Sequence, residues 1–152
     1  MHLTTYLGLI SHAEEELARA FREVADAHGD EPDVFSLCHT FAKQCDAHME
    51  RLHPILGRYG QTSEDEPDRL HSALFGGTRD GGLALLRDLH DLYLMINEVD
   101  ISWTVIKQAA QGLQDRELLA VVEACDRETI QQMTAVKSRM KQAAPQTLIV
   151  AS

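Results

Sequence analysis

Residues 41–55 read FAKQCDAHMERLHPI, and how this stretch is phased decides the fold. Cys38, Phe41, Cys45, His48, Leu52, Ile55 and Tyr59 recur three or four positions apart, the spacing of a helix that packs one face against partners. That phase turns Cys45 and His48 inward. A second stretch, Cys125-Asp126-Arg127-Glu128, lies midway along another pattern of the same kind and turns Cys125 inward.

Working outward, three more segments carry the spacing. The predicted helices run over roughly 3–28, 33–59, 80–111 and 115–144. The first follows Tyr6, Ile10, Ala13, Leu17, Ala20 and Val24. The third follows Leu85, Leu89, Leu92, Ile96, Val99, Trp103, Ile106 and Ala110. The fourth follows Leu118, Val122, Cys125, Thr129, Met133, Val136 and Met140. No segment alternates with period two, so no sheet is expected.

Gly29 through Asp33 offers a glycine stop, a proline and an acidic cap. Gly112 to Asp115 separates helices three and four, and Pro145 closes the last, leaving 146–152 as a tail. Pro54 removes a donor and crowds the carbonyl of Glu50, which predicts a kink or an early end. Residues 60–79 form a longer polar connection, with one or two helical turns expected over 68–75. Helices of ~27 residues are ~40 Å long, and ~20 residues of chain reach ~60 Å. Short loops therefore predict two antiparallel hairpins joined by a long crossover: one all-α four-helix bundle over 1–145.

The bulk properties bound the function. The chain has 152 residues, 44% of them hydrophobic, with 14 Lys and Arg against 24 Asp and Glu, a net charge of -10. That field opposes a phosphate backbone or an anionic lipid surface, so neither nucleic acid nor membrane is an expected partner. Nothing approaches the ~20 apolar residues of a membrane span. Three cysteines are too few for a disulfide framework, and a reducing cytoplasm is the expected location. Glycine-rich phosphate loops and nucleophile elbows are missing. The eight histidines lack the paired spacing of a hemerythrin-like iron site.

The short-long-short layout resembles the ferritin-like superfamily, including rubrerythrins and smaller stress-associated members. Ala42 to His48 looks like that family's second-helix signature, with Cys45 where a Glu would precede His48 by three residues. In the fourth helix the equivalent pair is Cys125 and Glu128. The resemblance implies a dinuclear carboxylate site, one Glu from each of two helices and a Glu-x-x-His pair from each of the others. The departures predict a site that is absent or eroded, no resident cofactor and no catalytic residue. The expected role is then binding or structural, with stress handling implied by the resemblance.

Two metal readings stay open beside this one. Glu50-Arg51-Leu52-His53 is the chain's Glu-x-x-His and could hold iron. At ~100° per residue, however, Glu50 points away from the line through Cys38, Cys45 and Leu52. Alternatively Cys45, His48 and Cys125 could hold zinc or another soft metal, with Asp126 and Glu128 at the edges. Cys45 and Cys125 could also form a redox pair if their Cα atoms come within ~7 Å. Against all of these, buried free cysteine packs as a small hydrophobe. Helical phase also places Glu14 and Glu16 beside the core stripe and Glu15 and Glu98 opposite it, so the acids are expected outside.

Helix three carries a second apolar line of Leu83, Leu94, Ile101 and Val105. Either a second subunit or the crossover, through Leu70, Leu74 and Phe75, is expected to cover it.

Overall fold

In the computed structural model, which describes residues 1–60 and 73–150, the three-four spacing resolves into four helices. These are α1 (Leu3–Ala27), α2 (Pro32–Tyr59), α3 (Ala84–Gly112) and α4 (Arg116–Pro145). The described residues contain no strand, so the protein is all-α. Among the described residues no helix is long and apolar enough to cross a membrane.

All four helices feed one core. Leu7, Ile10, Leu17 and Phe21 from α1 meet Cys38, Phe41, Leu52 and Ile55 from α2. From α3 and α4 come Leu89, Leu92, Ile96, Trp103, Leu118, Val122 and Val136. Each large apolar side chain fully removed from water contributes about 1.5–3 kcal/mol, which is why the stripes face one another.

The ends are tied by polar contacts. Thr4 Oγ1, at the start of α1, donates to the Tyr59 carbonyl at the end of α2, 3.3 Å away. Asp115 caps α4 by accepting from Leu118 N at 3.0 Å, and also takes Arg58 and the Tyr59 hydroxyl. The chain turns into that cap through Gln114, whose φ of 55° is left-handed. At the other end Arg139 of α4 reaches Asp33 at 2.7 Å and Glu31 at 3.1 Å. Glu31 just before α2 and Asp33 in its first turn therefore serve ion pairs to α4. Glu31, at the N-cap position, makes no side-chain cap hydrogen bond, and Pro32 opens the helix instead.

Of the kink or early end expected at Pro54, the early end does not occur, and α2 continues to Tyr59, the predicted boundary. The last residues are not simply a tail, since Gln146–Val150 form one π-helical turn with Leu148, Ile149 and Val150 exposed. The expected helical turns over 68–75 fall partly outside the described residues, and 73–75 are irregular.

The stretch that re-enters α3 is clasped to it. Asp88 is fully buried and accepts from His28 Nε2 at 2.8 Å, from the Arg79 amide at 3.2 Å and from its guanidinium at 3.0 Å. Arg79 also pairs with Asp91 at 2.9 Å. Phe75 packs against the core, and Leu74 stays exposed.

Candidate functional site

The interior is not wholly apolar at the level of Cys45 and Cys125. His48 is fully buried on α2, and both ring nitrogens meet carboxylates. Nδ1 lies 2.9 Å from Glu14 Oε1 on α1, and Nε2 lies 3.1 Å from Glu128 Oε1 on α4. Trp103 on α3 donates its indole N–H to the same Glu14 oxygen at 3.0 Å. All four helices thus supply one member of the node.

Both nitrogens of an imidazole can donate only when it carries the extra proton. Burial works against that charge, but the hydrogen bonds and charges of Glu14 and Glu128 outweigh it and raise the His48 pKa above 6.5. Glu14, 1% exposed, is the structural surprise. Helical phase had put it beside the stripe with Ala13 inward; the structure buries Glu14 and leaves Ala13 only half-buried. Nor are the other acids all outside, since Asp88 and Asp91 are buried too. The missed signal is legible in the chain: Leu3, Leu7, Ile10, Glu14, Leu17, Phe21 and Val24 form an unbroken four-three repeat, and Glu14 sits inside it.

Cys45 and Cys125 flank this node, both feeling the charge of Glu14. Cys38, Cys45 and Cys125 are all buried and free. Burial pushes the Cys38 and Cys125 thiols up to about 12, with Glu14 adding to the effect at Cys125. Cys45 is raised well above its usual value by burial and then by Glu14. Gln132 of α4, itself fully buried, donates to Gln44 at 3.0 Å and faces Cys45 Sγ at 4.0 Å. Among the described residues, Glu14 Oε2, Gln132 Oε1 and Asp126 Oδ1 are buried oxygens with no hydrogen-bond partner.

One turn away, Asp126 of α4 faces Asp100 of α3. Burial, then the hydrogen bond and charge of Asp100, push the Asp126 carboxyl up to about 7. A like charge close by makes ionisation of Asp126 harder, in the same direction as its burial.

Of the expected metal-site residues, Cys45, His48 and Cys125 are brought inside. Glu50 and His53 are not; both are exposed. His53 instead lines an open groove of about 590 Å³ with His12, Glu15 and Gly57.

The residues do not fit the dinuclear centre that the ferritin-like resemblance implies. Glu14, His48 and Glu128 are oxygen and nitrogen donors of the right kind. Cys45 and Cys125, however, replace the Glu of each pair as protonated thiols, and α3 lays an indole against Glu14 where a carboxylate is needed. Among the described residues no group of three or more His, Cys, Asp or Glu side chains is placed to hold a metal ion.

No family model matches the chain, and no curated protein or solved structure matches it either.

Proposed function

We propose that this chain is a ferritin-like bundle of two antiparallel hairpins in which a hydrogen-bonded imidazole stands where relatives would hold a metal pair. Its role is binding or structural, in stress handling if the resemblance extends that far, and in a reducing cytoplasm suited to three free thiols. The end contacts support the hairpin arrangement: Thr4 with Tyr59, Arg139 with Asp33, and His28 with Asp88.

The observation that carries the reading is His48 engaged at both nitrogens by carboxylates. An imidazolium there balances one of the two negative charges and leaves no lone pair for a metal. Metal analysis of protein purified without chelator is expected to find iron and zinc far below one per chain. Near-stoichiometric iron would overturn the proposal.

One second reading is a soft-metal site built on Cys45, His48 and Cys125, the metal-site candidates that the fold buries. Stoichiometric zinc that disappears in Cys45→Ser would establish it. Iron held at Glu50 and His53 has less support, because both are exposed.

A further inference from the structure

Four apolar side chains on the outer face of α3 remain in water: Leu83 at 53% exposed, Leu94 at 54%, Ile101 at 58% and Val105 at 44%. Successive ~100° steps place them within a band ~40° wide, so they form one line rather than scattered surface residues. Arg87 is exposed on the same band, and His90 and Glu98 are exposed along its two edges, each ~20° outside it. Arg87 and His90 lie together, their nitrogens 3.3 Å apart. Among the described residues, neither Arg87 nor Glu98 has an ion-pair partner within the chain.

The order of these residues is self-complementary. Laying a second α3 antiparallel on the first, with Leu94 against Leu94 of the other copy, brings Leu83 opposite Val105 and Arg87 opposite Ile101. The same register sets His90 opposite Glu98, and Arg87, one turn away, reaches that carboxylate as well. Every contact occurs twice about a two-fold axis, which is the isologous pattern of closed dimers. The parallel alternative stacks Arg87 on Arg87 and Glu98 on Glu98, and like charges face to face are costly.

From this we infer that the outer face of α3 is a homodimer interface, antiparallel, with the two-fold axis at Leu94. The overlap from Leu83 to Val105 spans roughly 33 Å at 1.5 Å per residue, most of the helix. The occupant is a second copy because this register pairs Leu94 with itself and Leu83 with Val105, lays Ile101 on the hydrocarbon stem of Arg87, and brings Arg87 and His90 to Glu98 of the other copy. The inference is independent of what the interior holds, so a metal result leaves it standing.

The test is sedimentation of the full chain at micromolar concentration. Wild type is expected at twice the 17.0 kDa chain mass. Leu94→Glu sets two carboxylates against each other on the axis, and is expected to raise the dissociation constant at least about tenfold with unchanged helicity and melting. Glu98→Arg alone is expected to dissociate the dimer, and Arg87→Glu with Glu98→Arg to restore it. Restoration distinguishes this register from unspecific adhesion of apolar residues. A monomeric wild type would overturn the inference. A dimer indifferent to Leu94→Glu, or one not rescued by the charge swap, would overturn it equally.

Discussion

Two buried histidine–carboxylate contacts of nearly equal length do different work in this molecule. At the end of the bundle His28 meets Asp88 at 2.8 Å, and in the middle His48 meets Glu14 at 2.9 Å. In the first, the acid is the hub: Asp88 also takes a backbone amide and a guanidinium, and Arg79 carries positive charge whatever the imidazole does. In the second, the imidazole is the hub, and it joins Glu14 on α1 to Glu128 on α4. An acid-centred contact keeps its other donors when its histidine is lost. An imidazole-centred one comes apart.

The largest effect expected from breaking this contrast is at the middle. His48→Ala leaves Glu14 buried with only an indole donor, and urea denaturation should show a loss of about 3–5 kcal/mol. Adding Glu14→Leu should return most of that, because a removed pair costs far less than a broken one. If the double variant is as weak as the single, the node is not an isolated charge pair.

At the clasp, Asp88→Asn should cost about 1.5–3 kcal/mol in the same assay. The smaller figure reflects Arg79, half in water and able to hydrate when released.

The contrast also has a pH signature. His48 has its pKa raised on folding, so its contribution is complete below the unfolded value of 6.5 and is lost as pH rises through the higher folded value. Asp126, an acid raised to about 7, acts with the same sign over a lower window: its contribution is complete below 3.8 and disappears as pH climbs through 7. Melting temperature should therefore fall from mildly acidic to alkaline pH. Asp126→Asn should remove the lower part of that fall and gain about 1 kcal/mol at pH 8, the half-exposed side chain being screened by solvent. His48→Gln should remove the upper part. A fall unchanged by both would place the titrating group elsewhere.

The smallest effect is expected at the surface. Arg22 pairs with Asp46 across α1 and α2 with both side chains over 40% exposed, and Arg22→Ala should cost no more than about 0.5 kcal/mol.

Much of the fold is legible in the chain, because long apolar stripes at three-four spacing admit little but helices. The interior chemistry is less so. Cys45, His48 and Cys125 lie on stripes that periodicity reads correctly, whereas Glu14 reads as an edge residue on the premise that acids stay wet. That premise fails where partners arrive from other helices, as His48 and Trp103 do. Asp88 escaped for a related reason. Its partners, His28 and Arg79, come from a helix cap and an irregular segment whose positions no periodicity encodes.

The node also bears on how the two halves of the chain find their alignment. Glu14 and His48 belong to the first half, Trp103 and Glu128 to the second, and hydrocarbon stripes alone are nearly indifferent to a slide of one helical turn. Such a slip, ~5.4 Å, would carry the indole past its acceptor and take Glu128 away from the ring. The polar core thus acts as a vernier, selecting one docking depth among several that greasy surfaces would accept.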